Sequence, residues 1–358
     1  MDLSGLQKVD GTDIRACRFR DRLSPSERTA VFHPASGIDS DLVEAWKQLA
    51  GQASEPNIFY EHWFLQPGIS AFDHHPDLKL FLLWAGEAGR SQLLGLLPIG
   101  PESRFGRWPV PHVQNWVHPN CFLRDYCCDQ KRRCDLVQCE ARAFLQSDLG
   151  PDAYLNATVR GKKRKELRRQ AKRLDELGDV TFCHHSDDKY LESWIEEFLQ
   201  LESQGWKGYG GSSLDSSGQT RGFFREALLG AARTGQLERH DIRLEGTPLA
   251  MLVNFHSGRG SFSFKTAFDE AFSRFSPGVL LQLENLKLLD NPAIDWMDSC
   301  AAQDHPMIDS LWSGRRHIGR FSIELKGVSR RAIFHGLRFG EDLMGRIKGR
   351  AIIDPTEV

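Results

Sequence analysis

An α+β fold built on mixed, mostly antiparallel sheets is predicted by three features of the sequence. Residues 237–244, 249–256 and 261–268 are strand-like runs separated by the tight turns EGTP and SGRG, the pattern of an antiparallel meander. Two segments before them, 191–201 and 222–233, carry apolar residues at helical spacing of three and four. After them the loop DEAFSRFSPG opens onto an apolar helix over 279–289. A chain of 358 residues exceeds one typical core, which predicts two domains.

Residues 1–40 are polar, with Ser-Pro and His-Pro breaks, and read as an irregular N-terminal segment. In 42–49, Leu42, Ala45, Trp46 and Leu49 recur at helical spacing. The apolar runs 78–84 and 92–99, joined by GEAGRS, predict a hairpin. The stretch RFGRWPVPHVQNWVHPN, with its prolines and glycines, reads as irregular, and the first lobe is expected to span 41–152. A second lobe follows over 153–350. Nine of the first fourteen residues of RGKKRKELRRQAKRLDELGDVTF (160–182) are Lys or Arg. Leu167, Ala171, Leu174 and Leu177 give that segment one apolar stripe, so it reads as a packed helix ended by Gly178, with a strand starting at Val180. Its cations can solvate the exposed face or meet phosphate. Beyond the meander and its helix, a strand (AIDWMDS), a helix (HPMIDSLWSGRR), a strand (RFSIELK) and a terminal helical region are expected.

Composition narrows the function classes. With 46 basic and 48 acidic residues the net charge is −2, so attraction to polyanions has to be local. Five of the eight cysteines fall within 121–139 without paired C-x2-C knuckles, which predicts reduced thiols and no metal. The first residues lack a signal-peptide layout, and no apolar run reaches the ~20 residues of a membrane span. A cytoplasmic protein is expected.

The junction before the apolar helix is the most informative point. Pro277 suits a first helical turn, and Gly278 lets a ligand approach the backbone. The N–H groups of Gly278, Val279 and Leu280 at the positive end of the dipole form a candidate anion site, with the Ser276 hydroxyl and Arg274 beside it.

The run FSFKTAFDEAFSRFSPGVLLQLENLKLL resembles the core of the GNAT acyltransferase superfamily. Within it the run is most similar to the CelD-like branch associated with bacterial exopolysaccharide and cellulose production. KRKELRRQAKRLDELGDVTF, LESQGWKG, FFREAL, and DWMDSCA followed by LWSGRR resemble the same branch, as do WKQLAGQASEPNIFYEHWF and LLGLLPI in the first half. The likeness covers roughly 40–122 and 140–330. It implies tandem GNAT-like lobes, as in the related Fem-type peptidyltransferases. It also implies acyl-CoA as co-substrate. The pyrophosphate would be cradled by Arg274, Ser276, Gly278, Val279 and Leu280, and the pantetheine arm would lie in a splay between the fourth and fifth strands of the fold. Lys265 would project from the strand bordering the thioester. Two departures stand out. RFSPGVL has one glycine where the superfamily has Gln/Arg-x-x-Gly-x-Gly/Ala, and FLRDYCCDQKRRCDLVQCEARAF is short for the link between lobes, as if a strand and helix were missing or rewritten.

Direct transfer from a thioester needs a base for the acceptor and a polarised carbonyl, but no covalent enzyme intermediate. Asp295, Asp298 and His305 are the candidate bases. Asp298, at the end of the fifth strand of the fold, is preferred, because Asp295 lies three residues away and on the opposite face. Cys300 has no neighbouring base assignable from sequence. The implied reaction is acyl transfer to an amine or hydroxyl acceptor such as a sugar or cell-envelope glycan precursor. Two alternatives stand beside it. One is a Fem-type transferase whose segment 160–173 contacts aminoacyl-tRNA; the other is a catalytically degenerate scaffold that binds a partner.

Overall fold

The computed structural model describes residues 28–53, 55–72, 77–105, 108–116, 134–204, 214–324 and 326–347. β1 (Arg28–Pro34), β2 (Lys79–Ala85), β3 (Gln92–Glu102) and β4 (His112–Asn115) form a four-stranded antiparallel sheet in that order. A second sheet of seven strands contains β5 (Cys134–Leu145), β6 (Val180–His185), β7 (Leu237–Leu244), β8 (Thr247–Ser257), β9 (Gly260–Phe268), β10 (Trp296–Asp298) and β11 (Gly314–Ile323). Its order is β11-β5-β10-β9-β8-β7-β6, and of its pairs only β9–β10 is parallel. The expected α+β class, the hairpin β2–β3 and the meander β7–β8–β9 are all present.

The helices are α1 (Ser40–Gly51), α2 (His62–Phe72), α3 (Pro151–Thr158), α4 (Gly161–Asp175), α5 (Leu191–Gln204), α6 (Gly218–Arg233), α7 (Pro277–Asn285) and α8 (Val328–Ile347). Strand alternation sends Met251, Val253 and Phe255 of β8 to one face, where Phe198 of α5 and Phe224 and Leu228 of α6 cover them. Ala250 and Leu252 point to the other face, against Leu174 of α4 and Leu281 of α7. Between the sheets lies α2. Its Trp63 and Phe64 belong to the larger core, while Leu65 and Ile69 pack with Leu80 and Leu82 of the four-stranded sheet. Gly230 of α6 sits where a Cβ would lie 2.6 Å from the Trp63 Cβ, so its missing side chain permits this helix contact. No helix among the described residues is long and apolar enough to cross a membrane.

Several expectations need correction. β1 lies in the segment read as irregular, and β4 forms between prolines; both are short strands at the ends of their sheet, where the alternation signal is weak. β5 falls within the residues assigned to the first lobe, yet it pairs with β10 and β11 in the seven-stranded sheet. The helix read in HPMIDSLWSGRR is only a single turn, Ile308–Ser310, and the chain is already in β11 from Gly314. A Cβ at Gly314 would lie 2.5 Å from the Phe144 carbonyl, so this glycine lets β11 close onto β5. The basic segment is a helix packed by Leu167 and Leu174, but Leu177, past the helix end, is exposed. Most of the cysteine-rich segment (121–133) and the end of LESQGWKG (205–213) lie outside the described residues.

Candidate functional site

β9 and β10 pair over three rungs only, ending at Phe262–Asp298, while β9 runs on to Phe268. The register of β8 on β9 also shifts between Val253 and Asn254, which brings an extra residue, Phe264, into β9 at this level. Beyond Phe262, therefore, β9 leaves β10 in the middle of a sheet. This break in the ladder is the gap between β9 and β10, a place where an extended chain can pair. The start of α7 lies against the end of β9, where Gly278 meets the Phe268 ring.

The turn into α7 matches the expected junction, with differences in detail. Ser276 adopts a left-handed conformation (φ 54°, ψ 49°), and its carbonyl accepts from the Val279 and Leu280 amides at 2.9 and 3.0 Å. Those two N–H groups are thus already engaged. Gly278 is buried, with Phe268 and Met307 against it, while Ser276 and Val279 are half-exposed. Any anion must approach over Ser276 and Val279, and the cradle is narrower than the sequence implied. Arg274 is exposed, its guanidinium 4.7 Å from the Phe275 ring centre.

The basic helix completes this end. Gln170 of α4 donates to the Arg274 carbonyl at 3.3 Å, and Lys163 Nζ donates to Ser310 Oγ at 3.1 Å. Lys162, Glu166, Arg169 and Arg173 follow at spacings of three and four on the flank next to Lys163 and Gln170. Lys162, Lys165, Glu166 and Arg169 line a shallow surface groove there. The cations of α4 therefore border the turn that precedes α7, an arrangement no local pattern could reveal.

Asp298 occupies a different environment from that of a general base. It is fully buried; its Oδ2 accepts from Arg142 Nη2 at 2.6 Å and Arg316 Nη1 at 3.1 Å, and its Oδ1 accepts from the Cys300 amide at 2.8 Å. The residues come from β10, β5 and β11, so the carboxylate ties three adjacent strands together. Both carboxylate oxygens are therefore engaged by groups of the protein itself. Asp295 is exposed and paired with Arg259, whose hydrogen bond holds its carboxyl below the usual range. His305 is half-buried on the loop before Ile308–Ser310, and its carbonyl accepts from the Asp309 amide at 3.0 Å. Lys265 is half-buried on the stretch of β9 that borders the gap, its Nζ 5.8 Å from the Phe264 ring centre. Cys300 follows β10 with φ 52°. Burial, then Asp298, pushes its thiol far up, partly offset by Arg142 and Lys265. That direction disfavours the thiolate a cysteine nucleophile needs.

A carboxyl not singled out in the sequence lies in a second cavity between the sheets, lined by Lys47, Glu61, His62, Gln236 and Ser257 among others. Glu61 accepts from Ser257 Oγ at 2.8 Å and Gln236 Nε2 at 3.3 Å, yet burial outweighs these bonds and raises its pKa. A carboxyl with a raised folded pKa costs stability as pH rises from its unfolded value through its folded one. Glu61→Gln keeps the acceptor oxygen and removes the charge. It is expected to raise the thermal midpoint at pH 7, with the gain vanishing as pH falls to the ordinary Glu range. A gain that persisted at low pH would contradict this.

Comparison with known proteins bears on the same region. Residues 161–305 match the family model described as an acetyltransferase (GNAT) domain. The structure titled as FemX is similar to this chain with a TM-score of 0.50 at 10% identity, covering 86% of this chain and 99% of that one. A tandem GNAT protein from the clavulanic acid biosynthesis pathway is similar at a TM-score of 0.40 and 14% identity, over 84% and 100% of the two chains. The N-myristoyltransferase of Saccharomyces cerevisiae has a TM-score of 0.40 at 9% identity, over 84% and 81%. No curated protein sequence matches.

Proposed function

We infer, for a chain whose residues 161–305 match a GNAT acetyltransferase domain, that it moves an acyl group from acyl-CoA to an amine or hydroxyl acceptor. The observation that carries this reading is the end of β9–β10 pairing at Phe262, with the start of α7 packed against Phe268 further along β9. The pantetheine amides of the co-substrate suit the stretch of β9 that no longer pairs with β10, and its phosphates suit the turn at Ser276 with Arg274 and the cations of α4. The thioester supplies the activated acyl group. Lys265 would stand by its carbonyl and stabilise developing negative charge. His305 is the remaining candidate base from the sequence, since Asp298 is committed to Arg142 and Arg316. The likeness to the CelD-like branch favours a sugar or cell-envelope precursor as acceptor.

Calorimetric titration with acetyl-CoA and with tRNA, each at two salt concentrations, tests the co-substrate. Saturable acetyl-CoA binding is expected at both salt levels, with tRNA binding weak and lost steeply as salt rises. Tight, salt-resistant tRNA binding without acetyl-CoA binding would favour an aminoacyl-tRNA donor instead.

A further inference from the structure

Alternation along β7 places Glu238 and His240 on the face that also carries Ile242 and Leu244. Ile242 and Leu244 are covered by α4 and α7, but the other end of this face is polar. β6 brings His184 directly opposite His240, and β8 brings Asn254 opposite Glu238, with His256 two residues further on. Three imidazoles then converge on one carboxylate. His184 Nε2 lies 2.7 Å from Glu238 Oε1; His240 Nε2 and His256 Nε2 lie 3.1 and 3.4 Å from Oε2. The ligand atoms of His184, Glu238 and His240 all lie within 4.8 Å of one another, and the His184 and His240 rings are stacked with centroids 4.8 Å apart.

We propose that His184, Glu238 and His240 bind a divalent transition-metal ion, with zinc the best match to this donor set; His256 stands beside the carboxylate, outside that cluster. Tetrahedral zinc bound to nitrogen and oxygen at about 2.0–2.2 Å has ligand–ligand edges of roughly 3.3–3.6 Å. The ligand atoms of His184, Glu238 and His240, all within 4.8 Å of one another, would adjust toward that spacing around an ion and leave a fourth position for water. The outer shell is in place: Asn254 Nδ2 lies 3.0 Å from Glu238 Oε2 and is itself held by Asn285 Oδ1 at 2.8 Å, which fixes the carboxylate. Accessibility fits as well, since the His184 side chain is 55% exposed while Glu238 and His240 are largely buried.

The opposite face provides a contrast. Cys183, His185 and Asp241 also cluster within 4.8 Å. There, however, Asp241 accepts from Arg243 Nε at 2.7 Å and Trp194 Nε1 at 2.9 Å, so a guanidinium already occupies the cation's place. The metal site lies on β6, β7 and β8, away from the gap beside β9. β6 is the last strand of its sheet, and the ion would clasp this edge strand to its neighbours as a structural element.

The test uses the full chain, freed of metal by dialysis against a chelator and titrated with zinc by calorimetry and with cobalt(II) by absorption. Saturable zinc binding and visible cobalt bands without thiolate charge-transfer absorption are expected. His184→Ala, at an exposed position, should weaken zinc binding at least about tenfold and remove the cobalt bands. Glu238→Gln should do the same, and if that variant fails to fold, His184→Ala decides alone. Absence of binding by the parent chain, binding unaltered in His184→Ala, or cobalt bands arising from thiolates would overturn the assignment.

Discussion

Asp298→Ala is expected to destabilise the protein by about 3–5 kcal/mol, the usual cost of breaking a buried ion pair from one side. The change removes the carboxylate that joins Arg142 and Arg316 where β5, β10 and β11 meet, leaving Arg316 its pair with Glu55. It also removes the acceptor for the Cys300 amide, which shapes the chain as it leaves β10. The thermal midpoint should fall by roughly 10 °C. Asp295→Ala, at an exposed pair with Arg259, should leave the midpoint almost unmoved. Denaturation of the two variants side by side checks the structural assignment. A variant of Asp298 that kept its midpoint and lost only turnover would return this residue to the role of base.

Replacing Lys162, Arg169 and Arg274 together by Gln is expected to weaken acetyl-CoA binding at least about tenfold while leaving the fold intact. All three side chains are exposed, and among the described residues Arg169 pairs with Glu166 on its own helix, so their loss costs little stability. Hydrogen bonds to charged groups contribute about 1.5–3 kcal/mol each, so even one lost phosphate contact corresponds to tenfold or more. Titration of the parent and the variant with acetyl-CoA reads the effect directly. Unchanged affinity would mean that the cations of α4 only solvate their helix. A large change in the salt slope of tRNA binding, with acetyl-CoA affinity unaltered, would assign them to nucleic acid.

Much of the second sheet was legible in the sequence because its signals are local. EGTP and SGRG set the meander, and Ser276-Pro277-Gly278 marked the start of α7 where the helix begins. Periodicity also identified α4, α5 and α6, since each buries one stripe. What could not be read depends on distant partners. The carboxylate of Asp298 looked available because Arg142, which neutralises it, comes from a strand 156 residues earlier. For the same reason, the place of β5 between β10 and β11 has no signature in its own residues. The amides of Val279 and Leu280 were read as free, whereas the left-handed Ser276 turns its carbonyl onto them. Glu238 and its three histidines are scattered over β6, β7 and β8, and only strand register brings them together. Likewise, composition showed that α4 is basic, but only packing placed it beside the turn at Arg274.

The most direct test of the account is amide hydrogen exchange of the full chain with and without saturating acetyl-CoA. Binding in the gap would pair with β9 beyond its last rung to β10 and cover the turn into α7. Exchange should therefore slow in residues 263–268 and 276–280, with the four-stranded sheet unchanged. Saturable binding that left both segments as they are in the free protein, with protection elsewhere, would contradict the assignment of this gap as the acyl-CoA site.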